Sequence, residues 1–244
     1  MPLAEARISP MDRGFLFGDG IYEVIPSFGG KPVGFRHHIE RLSAGLRAIG
    51  IAVEWTRERW QELCWTLIER HPAVNVGVYL QVSRGMAARR MHAFPENANP
   101  TVFAYAFDIP DAPIADKRRV KVYRVSTARD MRWRRCDIKS TSLLGNVLHF
   151  QHGFSQGNDE TILYNELNWL TEASASNVYA VKNGTVITPP LSHEILPGVT
   201  RAILLDILKS SNELSVEERP LSMAEVFAAD EVWLSSSSTE IVPV

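Results

Sequence analysis

Val178-Tyr179-Ala180-Val181-Lys182-Asn183-Gly184-Thr185-Val186-Ile187 reads as two apolar runs joined by Asn-Gly. That dipeptide tolerates the positive φ angles of a two-residue turn, so the stretch predicts a β-hairpin. The theme recurs along the chain. The apolar run Ile21-Tyr22-Glu23-Val24-Ile25 is soon followed by Gly29-Gly30, a second hairpin turn. Val76, Val78, Leu80 and Val82 alternate with Gly77, Tyr79, Gln81 and Ser83, the period of a strand with one buried face. Further strands are expected at 101–107, 120–125, 161–164 and 231–234, the last running into a polar stretch at 235–239. Helical spacing of three and four shows in Ile39, Leu42, Leu46 and Ile49, stopped by Gly50. Trp60, Leu63, Cys64 and Leu67 share one side of a second helix over 55–70, and helices are also expected at 143–153 and 199–208. Strands that arrive as hairpins with helices between them indicate an α+β fold. Two prolines and an aspartate in Pro110-Asp111-Ala112-Pro113 disfavour regular structure, so two domains are expected, 1–112 and 113–244.

Composition narrows the function. The chain has 244 residues, 45% of them hydrophobic, which is enough for a real core. Lysine and arginine number 26 against 28 acidic residues, a net charge of −2, without the basic footprint of a nucleic-acid binder. No run approaches the roughly 18 apolar residues of a membrane span. The opening Met1-Pro2-Leu3-Ala4-Glu5-Ala6-Arg7 lacks the apolar core of a secretory leader, so a cytoplasmic protein is expected. Cys64 and Cys136 are too few for a disulfide framework, and the seven histidines fall outside ligand spacing, so no metal site is expected. There is no Gly-x-Ser-x-Gly elbow, no His-Glu-x-x-His pair and no phosphate loop ending in Gly-Lys-Ser, and Gly18-Asp19-Gly20 lacks the third glycine of a dinucleotide fingerprint.

What remains is a set of features suited to an anion and a reactive amine, each with a plainer reading beside it. Gly198-Val199-Thr200 opens a helix, where free N–H groups favour phosphate, or it is an ordinary helix start after Pro197. The serines at 235–238 offer hydroxyls or form a polar turn. Arg41 is an anion ligand or a surface arginine, Lys139 a reactive amine or a solvated one, and Glu172 a functional carboxylate or a turn glutamate.

A phosphate cup, an amine and a carboxylate for a ring nitrogen are together what pyridoxal phosphate needs. The stretches Asp12-Arg13-Gly14-Phe15-Leu16-Phe17-Gly18-Asp19-Gly20-Ile21-Tyr22-Glu23, His38-Ile39-Glu40-Arg41-Leu42, Arg132-Trp133-Arg134-Arg135-Cys136-Asp137-Ile138-Lys139-Ser140, Leu170-Thr171-Glu172 through Asn177, and Leu196-Pro197-Gly198-Val199-Thr200-Arg201 carry a resemblance. In that order they resemble the fold-type IV aminotransferases, the group that holds D-amino acid and branched-chain aminotransferases and aminodeoxychorismate lyase. The resemblance implies a smaller N-terminal α/β domain, a larger C-terminal pseudo-barrel domain, pyridoxal 5'-phosphate as cofactor and a homodimer. It implies a Schiff-base lysine at Lys139, a ring-nitrogen partner at Glu172, and a phosphate grip from Arg41, the Val199 N–H, Thr200 and Ser237, with Ser236 adjacent. Leu196 would pack on the ring face.

Within that group, Arg84-Gly85-Met86-Ala87-Ala88-Arg89-Arg90-Met91-His92-Ala93-Phe94-Pro95 is similar to the carboxylate trap of the D-amino acid enzymes. The similarity assigns Arg90, His92 and Tyr22 to the substrate carboxylate, because an arginine can hold a carboxylate in two parallel hydrogen bonds. The implied activity is ping-pong transamination of D-amino acids, D-alanine in type, with 2-oxoglutarate. Branched-chain L-amino acid transamination and aminodeoxychorismate lysis are the alternatives, and a non-catalytic cofactor binder is a third. The loop is one residue longer than in the D-enzymes, which makes Arg89 the alternative to Arg90. Ala175 stands where a serine is usual, and further sequence is expected after Val244.

Overall fold

The computed structural model describes residues 1–112, 116, 118–211 and 213–244; Pro113, the end of the expected connector, lies outside them. The chain forms two compact units. The first comprises Met1–Asp111 and Ile138–Leu143, and the second Ala112–Asp137 and Leu144–Val244.

In the first unit a one-turn helix α1 (Arg13–Phe17) leads into β1 (Gly20–Phe28) and the short β2 (Lys31–Pro32). Helices α2 (Phe35–Ala48) and α3 (Arg57–Arg70) follow, then β3 (Asn75–Ser83) and β4 (Thr101–Asp108). The strands make one antiparallel sheet in the order β2-β1-β3-β4. Its alternation has the expected consequence: Ile21 and Ile25 of β1 and Val76, Val78, Leu80 and Val82 of β3 are all fully buried. They pack with Ile39, Leu42 and Leu46 of α2 and with Trp60, Cys64 and Ile68 of α3. The opposite face carries Tyr22, Tyr79 and Tyr105, with Tyr22 stacked on Tyr79 at 5.8 Å between ring centroids.

The second unit runs β5 (Val125–Arg129), α4 (Leu144–Phe154), β6 (Glu160–Tyr164), β7 (Leu170–Ala173), β8 (Asn177–Lys182) and β9 (Thr185–Thr188). It continues with α5 (Val199–Ser211), β10 (Ser215–Glu218), α6 (Met223–Phe227), β11 (Glu231–Ser236) and β12 (Glu240–Pro243). A three-stranded sheet, β5-β6-β7, and a five-stranded sheet, β10-β9-β8-β11-β12, share one core. Ile162, Leu170 and Ala173 come from the first sheet, and Val178, Ala180, Ile187 and Leu234 from the second. The β8–β9 hairpin turns at Asn183 and Gly184, both with positive φ, as the Asn-Gly signal requires.

The strand expected at 120–125 is displaced: regular pairing begins at Val125 and runs to Arg129. Its register is set by β6, which it joins in parallel from Val125 opposite Glu160, whereas Val122 is exposed. The final expected strand, 231–234, extends to Ser236 and turns back as β12. Short elements escaped the periodicity, among them β10 and α6, although Ser222 at the N-cap of α6 and Glu225 form a reciprocal capping box.

Candidate functional site

Period two along β1 sends Tyr22 and Glu23 to opposite faces of the sheet. Glu23 goes inward, toward α2, where His38 and Arg41 lie three residues apart on one side. Arg41 donates to it through Nε at 2.8 Å and Nη2 at 2.7 Å, a two-point fork, and the His38 ring Nδ1 lies 2.7 Å from its second oxygen. Burial pushes the Glu23 carboxyl up, but Arg41 and His38 outweigh it and hold it at about 2. For His38, burial lowers the pKa, Glu23 opposes this, and the charges of Arg41 and Lys139 add to the lowering, so the ring is neutral near pH 7. Arg41 is therefore a nearly buried part of this cluster and not a surface arginine.

Lys139 comes from the stretch 138–143, which pairs with the start of β1. β2 covers only Ser27 and Phe28 of that strand. At the other end the Tyr22 N–H donates to the Lys139 carbonyl at 3.0 Å, Ile21 bridges Ser140, and the Thr141 N–H donates to the Gly20 carbonyl. These bonds place Lys139 Nζ where it donates to the Tyr22 hydroxyl at 3.3 Å, 4.3 Å from the centre of that ring.

In the same unit, Arg89, Arg90 and His92 are exposed on the loop after β3. The Arg90 guanidinium lies 5.0 Å from the centre of the Phe17 ring, and the His92 ring 5.6 Å from it. Among the described residues neither has a hydrogen bond or ion pair to Tyr22 or Lys139.

The second unit builds its own cluster on β7, every residue of which is buried. Glu172 accepts from Arg132 Nη1 at 2.6 Å on one oxygen, and from Asn177 Nδ2 at 3.2 Å and the Leu196 N–H at 3.0 Å on the other. Asn177 also donates to the Leu196 carbonyl, so the 196–198 turn is fixed beside Glu172. A Cβ at Gly198 would meet Asn177 Oδ1 at 2.0 Å, so only glycine allows this approach. Arg132 spends its fork elsewhere: Nε and Nη2 go to Asp130 at 3.0 and 2.7 Å, and Thr171 Oγ1 donates to the same carboxylate. Burial is the largest influence on Glu172 and, with Asp130 nearby, raises its pKa despite Arg132 and the Leu196 N–H. Asp130 is lowered, because its Arg132 bonds overcome its burial.

The helix α5 opens at Val199 and Thr200, where the first amide N–H groups have no acceptor inside the helix. It packs against β11, whose end carries Ser236. The Ser236 hydroxyl is bonded to Thr239 Oγ1 at 2.8 Å and accepts from the Thr239 N–H, so it braces the β11–β12 turn in which Ser237 lies. Ala175 contributes its N–H to Glu160, which Ser174 Oγ also contacts.

Sequence reasoning left Glu23, His38, Asp130, Arg132 and Asn177 without roles. The spacing of His38 and Arg41 on one helix face was the available signal for the first pair. Asp130-x-Arg132 was a weaker one for the second.

The second cluster fits a pyridine ring on its own chemistry. Asp130 and Glu172 share the guanidinium of Arg132, so a partly buried and a buried carboxylate meet one cation there. A protonated ring nitrogen at Glu172 would supply the missing positive charge, and the α5 opening suits a phosphate.

Comparison with known proteins gives a consistent picture. The family model for amino-transferase class IV matches residues 20–244. The D-alanine aminotransferase of Staphylococcus epidermidis is 37% identical over 98% of this chain and 83% of its own length. A Legionella pneumophila protein assigned as a 4-amino-4-deoxychorismate lyase superposes with a TM-score of 0.86 at 25% identity, over 99% of this chain and 87% of that one. The branched-chain amino acid aminotransferase from Escherichia coli shares the fold, with a TM-score of 0.85 at 21% identity, over 98% of this chain and 80% of that one.

Proposed function

The chain belongs to the class IV aminotransferase family and uses pyridoxal 5'-phosphate, and on that premise we propose that it transaminates D-amino acids, D-alanine foremost, with 2-oxoglutarate as acceptor. The observation that carries this reading is the loop at 84–95, where Arg90 and His92 stand exposed over the Phe17 ring. A guanidinium that takes the α-carboxylate through two parallel bonds fixes which face of the substrate carbon is presented for proton removal. The likeness to a D-alanine aminotransferase over nearly the whole chain supports the same substrate class.

When bound, the cofactor supplies an electron sink for the charge left at the substrate carbon. The chain's own groups do the binding and the proton handling. Lys139 Nζ is the amine that holds the cofactor and moves the proton at the substrate Cα, and the Tyr22 hydroxyl 3.3 Å away orients it. Tyr22 joins Arg90 and His92 in holding the carboxylate. Glu172 would accept from a protonated ring nitrogen, and Leu196, fixed to Glu172 through its N–H, would pack on the ring face. Arg41 is held rigid by Glu23 and is assigned to the phosphate, as are the Val199 N–H, Thr200 and Ser237, with Ser236 bracing the turn. Leu144, Val147 and Leu148 lie exposed along one side of α4, an apolar stripe that supports a homodimer, here taken to work in the cytoplasm.

Half-reactions with D-alanine and with L-leucine, each without acceptor, test the reading. Loss of the bound cofactor's visible band with D-alanine alone is expected. Loss with L-leucine but not D-alanine overturns it, and pyruvate release from aminodeoxychorismate points instead to a lyase.

A further inference from the structure

The loop that carries Arg90 and His92 is exposed at its tip but held from beneath by one buried arginine. Arg13, 3% exposed, opens α1. Its Nη1 donates to the carbonyls of Met91 at 2.7 Å and Ala93 at 3.3 Å, and its Nη2 to the carbonyl of His92 at 3.2 Å. Three successive carbonyls, beginning at the residue after Arg90, are thus tied to a single planar group. The remaining donor, Nε, goes to Asp19 Oδ2 at 2.7 Å.

Asp19 is itself gripped from the other side. Arg84 donates to its two oxygens at 2.8 and 3.0 Å, and the same guanidinium reaches the carbonyls of Gly50 and Ile49. One carboxylate between two guanidiniums therefore sets the plane of Arg13. Phe17, one turn further along α1, completes the arrangement. Its ring centre is 4.8 Å from the Arg13 guanidinium, 5.0 Å from that of Arg90 and 5.6 Å from the His92 ring. The backbone of the loop and the side chains at its tip are both referred to this one helical turn. α1 is stitched to the loop as well: the Arg13 N–H donates to the Gly85 carbonyl, and Asp12 bridges Met86.

We propose that Arg13, oriented by Asp19 and acting with the Phe17 ring, is a positioning residue that pre-sets Arg90 and His92 for the substrate α-carboxylate. This rests on the carboxylate role given to that loop above. The physical ground is the cost of ordering: a clamp whose side chains are already placed loses less freedom when it binds than one on a slack loop. Arginine suits the task because its donors lie in one fixed plane, which the single ammonium of lysine does not reproduce.

The test compares three variants of the holoenzyme: Arg13→Lys, Arg90→Ala/His92→Ala, and all three changes together. Arg13→Lys keeps a positive charge against Asp19 but cannot serve three carbonyls and a carboxylate at once. The expected result is a KM for D-alanine raised about tenfold with kcat within about twofold of the parent. In the variant already lacking Arg90 and His92, adding Arg13→Lys should raise KM no further, because Arg13 works through those two side chains. An unchanged KM in Arg13→Lys, or fold-changes that multiply in the triple variant, overturns the positioning role even if melting temperature falls. An unchanged KM in Arg90→Ala/His92→Ala overturns the clamp itself, which separates the two failures. Should Arg13→Lys not fold, Phe17→Leu carries the same comparison, since it removes none of the side chains that hydrogen-bond within the Arg13–Asp19–Arg84 group. It should raise KM severalfold in the parent and not at all without the clamp.

Discussion

Glu23 in the first unit and Glu172 in the second are both buried, and each is reached by a guanidinium nitrogen within 2.7 Å. Their carboxyls nevertheless move in opposite directions, Glu23 down to about 2 and Glu172 up. Burial is the largest influence on both and pushes both upward, so it is not what separates them. What separates them is how the arginine is spent. Arg41 gives its Nε and Nη2 fork to Glu23, which also has His38. Arg132 gives the same fork to Asp130 and only Nη1 to Glu172. A carboxylate that takes the two-point fork of its arginine is a structural anchor. One that shares its cation has charge left for a ligand.

The sharpest way to break the comparison is to remove each arginine in turn. Arg132→Met strands the buried Glu172 and the partly buried Asp130 and should lower the unfolding free energy by roughly 3–5 kcal/mol, read from the urea midpoint. Arg41→Met leaves Glu23 its His38 bond, so its loss should fall at the lower end, about 3 kcal/mol. If the Arg41 change proves the more damaging, the shared-cation argument is wrong. Glu172→Gln sharpens the contrast from the functional side. Its kcat should fall on the order of 10²-fold, roughly 2.7 kcal/mol, with little movement of the urea midpoint. Glu23→Gln should do the reverse, because it leaves Arg41 buried against a neutral partner.

Acid titration of stability gives a smaller effect with a clear sign. The depressed Glu23 contributes stability that is complete above its ordinary value of 4.5 and is lost as pH falls toward about 2. Glu172, raised in the folded state, contributes in the opposite sense: its share is complete below 4.5 and lost as pH rises through its folded value. Denaturant midpoints between pH 6 and about 3 should therefore fall in the parent, fall less in Glu23→Gln, and fall more steeply in Glu172→Gln. The mildest probe is Thr171→Val, which removes a hydroxyl that donates to Asp130 at 3.0 Å. A cost of about 1 kcal/mol is expected in the same denaturant measurement, and the Glu172 carboxyl should rise further as Asp130 draws harder on Arg132.

The legible parts of the fold were those with a long period or an unambiguous turn. β3, α2 and the Asn183–Gly184 hairpin are set by residues that see only their neighbours along the chain. β5 was misplaced because its register belongs to β6, about 35 residues later, and Val122 matched the alternation without being buried. In the candidate site, Lys139 and Glu172 stood in motifs that could be quoted from the chain. The partition of Arg132 between Asp130 and Glu172 could not, since Asp130 is local to the arginine while Glu172 comes from 40 positions away. Likewise, nothing linear relates Arg13 to the carbonyls some 80 residues later that it holds.

The stretch Ile138–Leu143 belongs with Met1–Asp111, although 26 intervening residues, Ala112–Asp137, belong to the other unit. A ribosome making this protein therefore begins the first unit early and finishes it late. Until the polypeptide has been extended past Leu143, β1 waits with its leading edge uncovered and Lys139 is not yet in place. Cutting the gene between codons 111 and 112 would not yield two self-sufficient halves: the first would lack its last β partner, and the second would carry Lys139 on a stretch with nothing of its own to pair with.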